Sequence, residues 1–270
     1  MPGSEPLEIV VEDLHKGFEG RPVLRGVDLT VRRGEILAIV GGSGCGKTVL
    51  LQHIFGHHVP DRGRVLVADH ETPGAPLCDL TTLDEDAMDR LRVHWAIVFQ
   101  RNALLSGTVF HNLALWPREI HEWDDARIMP LARKALEAVG LDPDAVMERD
   151  REDLSGGMAK RVAIARAIVM DPVLVLYDEP TAGLDPEMSH QVHELIRQTH
   201  ERTPGLGVKR TTMVVTHDTG LLRALRPRVV MLHDGRVRFD GDFDHFLASD
   251  DPHIRPYLEQ MAFLHEQRRD

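Results

Sequence analysis

The sequence predicts an α/β fold in a single large domain. One observation is the apolar run Ile36–Val40, typical of a buried parallel strand, which leads into a glycine-rich loop and a helix over Thr48–Phe55 that Gly56 ends. Another is the pair of buried strands Val173–Tyr177 and Thr211–Thr216, which a helical segment separates. Alternation of buried strands with helices is typical of an α/β domain.

The first hundred residues add four more elements. Residues 7–31 predict short strands, because apolar and polar side chains alternate over the last part of that stretch. Further strands are expected over Val65–Ala68 and Trp95–Phe99. Between them we expect a short helix over Asp84–Leu91, with Thr82 as its N-cap.

Residues 101–165 are expected to be mainly helical. Within Asp125–Val139, the helix is predicted to begin close to Pro130, where a missing N–H costs least, and Gly140 is predicted to end it. The remaining predicted elements are helices and a late hairpin: Arg161–Met170, Ser189–Glu201, Leu221–Leu225, and Val229–Leu232 paired with Arg236–Phe239.

Composition excludes some classes of function. The chain has 270 residues, with 32 Lys and Arg against 43 Asp and Glu, and this net charge of −11 argues against a nucleic-acid partner. The two cysteines, Cys45 and Cys78, do not suggest a disulfide framework and favour a reducing cytosol. No apolar stretch approaches the ~20 residues that span a bilayer. We therefore expect a soluble chain that acts at a membrane only through a partner.

The glycine-rich loop Gly41–Thr48, GGSGCGKT, fits the pattern G-x-x-x-x-G-K-[ST] that surrounds nucleotide phosphates with backbone N–H groups. Three glycines are expected to let the backbone approach a phosphate: Gly42, Gly44 and Gly46. Lys47 reaches the β- and γ-phosphates in this motif, and the Thr48 hydroxyl suits Mg²⁺. Cys45 is either a redox-sensitive thiol or simply a small residue that fits the loop.

Two adjacent acids, Asp178 and Glu179, follow the buried strand Val173–Tyr177. Two acids at the end of a strand are often only a solvated loop. With the phosphate-binding loop upstream, the preferred interpretation is that Asp178 serves Mg²⁺, usually through water, and that Glu179 polarises the attacking water.

A second glycine-rich string, Leu154–Met158 (LSGGM), precedes an apolar helix. The order of these motifs resembles the ATP-binding cassette (ABC) ATPases. That resemblance implies a RecA-like core with an N-terminal antiparallel β subdomain and an inserted α-helical subdomain. It also implies that two copies of the chain hold ATP between the P-loop of one and Ser155, Gly156 and Gly157 of the other.

The resemblance implies a division of the single domain 1–270 and supplies further site residues. The β subdomain and core would comprise 1–99 and 166–240, the helical subdomain 100–165, and a C-terminal tail 241–270. Gln100 in IVFQ would contact Mg²⁺ and water, Asp185 in AGLDP would follow the acidic pair, and His217 in VVTHD would be the switch histidine.

The implied site residues fall into three sets. Catalytic residues would be Lys47, Gln100, Glu179 and His217, and Mg²⁺ would be held by Thr48, Gln100 and Asp178. Phe18 would stack on adenine, unless it is a core aromatic. The full set expected to bind ATP is Phe18, Gly41, Gly42, Ser43, Gly44, Cys45, Gly46, Lys47, Thr48, Val49, Ser155, Gly156, Gly157 and Asp185.

Among ABC ATPases the chain most resembles the Mla-type branch, which drives phospholipid traffic between membranes with a permease and Mce-domain partners. The resemblance rests on Lys47–Leu51, on ALLSGTVFHNLALWPRE after Gln100, on SGGMAKR, and on the late FDGDFDHFLASDDPHIRPYL. The segment Gln100–Glu119 would form the groove that receives the permease, although Asn102 stands where this branch usually has Gly.

The function implied is ATP hydrolysis that energises lipid transport, at the cytoplasmic face of the inner or plasma membrane. Two alternatives remain: an ABC transporter ATPase for another substrate, and a soluble ABC ATPase of the iron–sulfur assembly type. A GTPase is disfavoured, because the chain contains no Asn-Lys pair that could begin the guanine-binding N-K-x-D.

Overall fold

Two β-sheets and the helices around them form the structure, a computed structural model that describes residues 6–72, 74–100 and 104–259. The strands of this part of the chain are β1 (Leu7–Phe18), β2 (Arg21–Arg32), β3 (Ile36–Val40), β4 (Arg62–Val67), β5 (Cys78–Asp79), β6 (Trp95–Val98), β7 (Leu174–Asp178), β8 (Thr211–Val215), β9 (Arg228–His233) and β10 (Arg236–Asp242). The helices are α1 (Lys47–Ile54), α2 (Glu85–Arg92), α3 (Val109–His121), α4 (Asp125–Ala138), α5 (Pro143–Val146), α6 (Gly156–Ile168), α7 (Pro186–Glu201), α8 (Thr219–Leu225) and α9 (Phe243–Leu247).

The N-terminal sheet is antiparallel, with the strand order β2-β1-β4-β5. Its first two strands are 12 residues each, so the expectation of short strands was wrong. They form one long hairpin because Glu19 (φ 50°) and Gly20 (φ 76°) both adopt the left-handed backbone that two-residue hairpin turns require.

The larger sheet has the order β10-β9-β3-β8-β7-β6 and carries the predicted buried strands. Strands β9, β3, β8, β7 and β6 run parallel, and β10 closes one edge antiparallel to β9. Leu37 to Val40 are 0% exposed, as expected when helices or another sheet cover both faces of a strand. The predicted late hairpin is therefore confirmed as β9 and β10.

Two predicted helix starts were wrong, and in both cases an aspartate is the actual cap. The Asp84 side chain accepts a hydrogen bond from the N–H of Ala87 and so caps α2, whereas Thr82 ends a 3₁₀ turn. Helix α4 begins at Asp125, ahead of Pro130, because Asp124 caps it through the N–H of Arg127. A single interior proline removes one backbone hydrogen bond, which the rest of this helix offsets.

The helical region and the C-terminal tail differ from their predicted boundaries. Helix α6 runs through 165, so the expected border of the helical subdomain falls inside a helix. The tail begins within β10, and Asp242 caps α9 by accepting from the N–H of His245. A helical stretch from Ile254 to 259 then packs against β3 and β9.

Some predictions concern residues outside the described part of the chain. These are the departure at Asn102, the end of the tail (260–270) and the first five residues. Among the helices of the described residues, none has both the length and the apolar composition needed to cross a membrane.

Candidate active site

The carboxyl ends of four neighbouring parallel strands meet at one edge of the larger sheet. The P-loop follows β3, Gln100 comes after β6, Asp178 ends β7, and His217 comes after β8. Ligands of open α/β sheets bind at this edge. A cavity of about 410 Å³ lies there, and the predicted residues that line it are Gly41, Gly42, Ser43, Gly44, Lys47, Thr48, Gln100, Asp178, Glu179 and His217.

The loop needs glycine at positions 41 and 46 because the backbone has a positive φ there and neighbouring atoms leave no room for a Cβ. A Cβ at Gly41 (φ 144°) would lie 2.3 Å from the carbonyl oxygen of Leu232. A Cβ at Gly46 (φ 106°) would lie 2.7 Å from Leu24, and Gly46 does not line the cavity. The backbone conformation and the neighbouring Leu24 thus require glycine at position 46, and close approach of a phosphate to this residue stays a prediction.

Lys47 holds the loop together from inside. Its Nζ donates to the carbonyl oxygens of Gly41 at 2.7 Å and Gly42 at 3.0 Å. The sulfur of Cys45 lies 3.9 Å from the same Nζ, and the thiol is partly buried outside the cavity lining. The ammonium group is therefore already at the cavity.

Asp178 and Glu179 place two carboxyl groups side by side in this cavity. Burial raises the pKa of Asp178, and the neighbouring Glu179 raises it further, whereas Lys47 and Lys160 lower it. A pair of acids held in this way favours a bound cation. Among the described residues no cluster of three or more His, Cys, Asp or Glu side chains could hold a metal ion. A cation here must therefore also use neutral oxygens, which Thr48 and Gln100 bring to the cavity.

Glu179 and His217 contact each other at the mouth of the cavity. Their Oε2 and Nδ1 atoms lie 2.8 Å apart, and the backbone N–H of His217 points to the same oxygen at 3.4 Å. Glu179 has a left-handed backbone (φ 46°), and its N–H donates to the carbonyl oxygen of Val215 at 2.8 Å. Backbone and histidine together aim the carboxylate into the cavity.

Asp218 anchors the loop that carries His217. Its carboxylate accepts hydrogen bonds from Thr181 Oγ1 (2.7 Å), from His193 Nε2 (2.8 Å) and from two backbone N–H groups that begin α8. Burial by itself would raise the pKa of Asp218, but the hydrogen bonds from His193 and Thr181 hold it well below its usual range. The loop is therefore tied to α7 through a buried ionised carboxylate.

Replacement of Asp218 by alanine is expected to lower the free energy of unfolding by about 3 kcal/mol, because it leaves several buried donors without an acceptor. Urea denaturation monitored by circular dichroism measures this change. Asp250→Ala is the matched control, since that carboxylate is 89% exposed. A loss for Asp218→Ala no larger than for the control would contradict the anchoring role.

The other predicted site residues do not line the cavity: Phe18, Cys45, Gly46, Val49, Ser155, Gly156, Gly157 and Asp185. Phe18 is 40% exposed at the end of β1, beside Lys16 and His58, so the alternative of a core aromatic was wrong. A ring on the surface remains free to stack on a planar ligand.

The LSGG residues and Asp185 lie at exposed helix N-termini. Ser155 caps the 13-residue α6 by accepting from the N–H of Met158, and Asp185 caps α7 through the N–H of Met188. A Cβ at Gly156 would meet nothing within 4 Å. Within one chain these groups are therefore helix caps that face outward, with free backbone N–H groups at the start of α6.

Sequence reasoning missed two buried residues near the site. Tyr257, from the tail, lines the cavity and is 9% exposed, and its hydroxyl has no hydrogen-bond partner in the described part of the chain. Burial raises the pKa of Tyr257 well above its usual range. Lys160 on α6 is 2% exposed, and burial lowers its pKa to about 8 against the attraction of Asp178. Lys160 lies in SGGMAKR and Tyr257 in the late string FDGDFDHFLASDDPHIRPYL, but the resemblance carried by these strings assigned neither residue a role at the site.

A family model described as "ABC transporter" matches residues 24–182. The chain belongs to the ABC transporter family. It is 36% identical over 253 residues to the histidine transport ATP-binding protein HisP of Pseudomonas aeruginosa, covering 92% of this chain and 96% of that protein. It is 35% identical over 254 residues to the L-cystine transport system ATP-binding protein TcyN of Escherichia coli, covering 93% and 97%.

A third relative of this ABC protein is the chloroplastic protein TRIGALACTOSYLDIACYLGLYCEROL 3 of Arabidopsis thaliana. The two are 32% identical over 264 residues, and the alignment covers 93% of this chain and 73% of that protein. Among solved structures, cbiO1 of Clostridium perfringens, part of the cbiONQ ABC transporter complex, superposes with a TM-score of 0.76 at 29% identity, covering 97% of this chain and all of that one. The dimeric post-hydrolysis state of the ATP-binding cassette MJ0796, bound to ADP and Pi, gives a TM-score of 0.71 at 27% identity, with coverage of 87% and 98%.

These comparisons confirm the ABC cassette fold and the enzyme class. The chain is an ATPase that uses ATP and Mg²⁺. They do not identify the Mla-type branch, because HisP, TcyN and the methionine import protein MetN of Rhodopseudomonas palustris are named for amino-acid transport. The lipid cargo and the Mce-domain partner therefore stay predictions.

Proposed function

We propose that this ABC ATPase works as a head-to-tail dimer that energises a membrane permease. One observation carries the proposal. The P-loop, Gln100, Asp178, Glu179 and His217 share a single cavity, whereas Ser155 and Gly156 are exposed outside its lining, with the half-buried Gly157 next to them. A site with one half inside the cavity and the other half on the outer surface is completed by a second copy.

The residues of the cavity divide the work on ATP. Lys47 turns from the carbonyl oxygens of Gly41 and Gly42 to the phosphates, and backbone N–H groups at the start of α1 bind them as well. The Thr48 hydroxyl, the Gln100 amide and the Asp178 carboxylate would hold Mg²⁺, which when bound neutralises charge on the phosphate oxygens. Glu179, oriented by His217, accepts a proton from the attacking water.

The start of α6 supplies the missing donors in the dimer. Ser155 and the free N–H groups that follow it suit a γ-phosphate, because anions bind at helix N-termini. Loss of the γ-phosphate on hydrolysis removes this anchor, and the two chains separate. The closing and opening would move the permease between its states.

The surface around α3 is the proposed permease contact. Four large apolar side chains are exposed there: Phe99, Leu105, Trp116 and Ile120. Exposed apolar groups of this size on a helical surface are typical of a protein interface. Through this contact the chain would be held peripherally on the membrane, at its cytoplasmic face.

Lipid is the first candidate for the cargo. The supporting observations are the resemblance of SGGMAKR, of the segment after Gln100 and of the tail to the Mla-type branch, and a plant relative named for a galactolipid. An amino acid is the second candidate, favoured by the names of the histidine and L-cystine relatives. The iron–sulfur alternative would require a soluble scaffold partner in place of a permease.

Purification of the chain from native membranes with its partners, followed by reconstitution in vesicles, tests the proposal. We expect a permease to co-purify, and ATP to drive transfer of a labelled phospholipid between vesicles. ATP-driven uptake of a labelled amino acid in place of phospholipid transfer would establish the second candidate. Co-purification of a soluble scaffold alone would overturn the transporter proposal altogether.

A further inference from the structure

Lys160 is a buried cation with an unusual pair of partners. Its side chain lies between α6 and β6, is 2% exposed, and belongs to the helix that starts with the LSGG residues. Its Nζ lies 3.2 Å from the carbonyl oxygen of Phe99 and 3.4 Å from that of Gln100. Two successive backbone carbonyl groups thus share one ammonium group.

Those two carbonyl groups lie just beyond the last residue of β6 that pairs with β7. Strand β6 is the edge strand, and its pairing with β7 ends at Val98 opposite Tyr177. In the described part of the chain, no further strand lies beyond β6 to supply N–H donors on the far side. The conformation of the chain at Phe99 and Gln100 is therefore held by the side chain of Lys160.

The chemistry makes a purely space-filling role a poor explanation. Burial of an ammonium group is costly, and a methionine or leucine would fill the same volume without that cost. Asp178 attracts the charge, but no ion pair between its carboxylate and Lys160 is present in the described structure. The two carbonyl oxygens are the groups that Nζ contacts.

We propose that Lys160 is a positioning residue for Gln100, which fixes the backbone from which the Gln100 amide reaches Mg²⁺ and water. The proposal rests on the function proposed above, in which Gln100 serves the ATP site. Because Lys160 also belongs to α6, the helix whose N-terminus binds the ATP of the second chain, any movement of that helix changes the support of Gln100. One side chain thus connects the two halves of the composite site.

The test measures Mg²⁺-dependent binding of a non-hydrolysable ATP analogue, adenylyl imidodiphosphate, in addition to hydrolysis. Lys160→Met removes the donors and keeps the length of the side chain, and Lys160→Arg keeps a donor. Lys134→Met is the matched control, because Lys134 is exposed on α4. Circular dichroism melting of each chain confirms that it folds, and Lys160→Leu, which also lacks a donor, replaces Lys160→Met if that variant does not fold.

For Lys160→Met we expect the Mg²⁺ concentration for half-maximal binding to rise about tenfold and kcat to fall about tenfold, while binding without Mg²⁺ is unchanged. Lys160→Arg should restore both values, and the control should match the parent chain. Gln100→Ala should show a similar defect, and adding Lys160→Met to it should change little more, because both act through one group.

Three outcomes would overturn the proposal. The first is parent-like Mg²⁺ dependence of a folded Lys160→Met chain. The second is a Lys160→Met defect that persists in full in the Gln100→Ala background, and the third is a failure of Lys160→Arg to restore binding. If Gln100→Ala itself has no defect, the proposed role of Gln100 at the ATP site fails as well, so the two failures are distinguishable.

Discussion

A Glu179→Gln chain is expected to bind ATP as the parent chain does and to hydrolyse it about 10²–10⁴ times more slowly, the range that a lost general base costs. The substitution keeps the size of the side chain and removes its ability to accept a proton from water. It also leaves the local backbone unaffected, since glutamine adopts the left-handed conformation (φ 46°) at the same cost as glutamate.

The same variant should accumulate as an ATP-bound dimer, because the γ-phosphate that joins the two chains is no longer removed. Phosphate release measures the turnover, and size-exclusion chromatography with and without ATP measures the dimer. Glu187→Gln is the control, since Glu187 is exposed on the first turn of α7. Turnover at the parent rate in the Glu179→Gln chain would refute the assignment of Glu179 as the base.

The core of the fold could be predicted because its strands are buried on both faces. Runs such as Ile36–Val40 and Leu174–Tyr177 are apolar throughout, which marks a covered parallel strand without any knowledge of the neighbours. Each run is followed directly by a residue that lines the cavity, Gly41 or Asp178, so the strand prediction also located the candidate site. Parallel strands bring their carboxyl ends to one edge whatever their order in the sheet.

Helix starts were predicted less well because several polar residues compete for each cap. Thr82 and Asp84 both suit an N-cap, and only the packing of the 3₁₀ turn decides for Asp84. Asp124 likewise moves the start of α4 ahead of the proline. Which residue caps each helix depends on tertiary contacts, and a short stretch of sequence does not show those contacts.

Lys160 and Tyr257 show a different limit. Each lies far along the sequence from the site residues it approaches: Lys160 contacts the carbonyl groups of Phe99 and Gln100, and Tyr257 lies at the P-loop. A lysine in a helix and a tyrosine in a tail are ordinary residues on composition alone. Only the three-dimensional structure shows that Lys160 is a buried donor and that the Tyr257 hydroxyl has no hydrogen-bond partner among the described residues.

The cargo could not be predicted for a related reason. The motif residues of the candidate cavity are those expected to serve ATP chemistry, and none of them was expected to touch the cargo. In the proposed function the permease selects the transported molecule, and this chain would contribute the exposed surface that contacts it. Relatives named for an amino acid and for a galactolipid are accordingly similar to this chain at 36% and 32% identity.

A Gly156→Asp substitution is expected to abolish the ATP-bound dimer while leaving the isolated chain intact. A Cβ at this position meets nothing within 4 Å, and an aspartate in the first turn of α6 favours the helix. Any large effect must therefore come from a second molecule. In the dimer the new carboxylate would lie beside the γ-phosphate, where repulsion at about 5 Å costs roughly 3 kcal/mol at an effective dielectric constant near 20.

Because both ATP sites of the dimer carry the substitution, the two costs add to roughly 6 kcal/mol, which corresponds to a dimer weakened by about 10⁴-fold. The substitution is best made in the Glu179→Gln chain, because its ATP-bound dimer is expected to persist. Sedimentation at several protein concentrations then measures the dissociation constant of that dimer. Gly156→Ala, which adds the Cβ without the charge, is the control, and unchanged ATP binding and melting temperature verify that the chain's own P-loop is intact. A Gly156→Asp dimer of parent strength would mean that the N-terminus of α6 does not face the second nucleotide, and the head-to-tail arrangement would have to be abandoned.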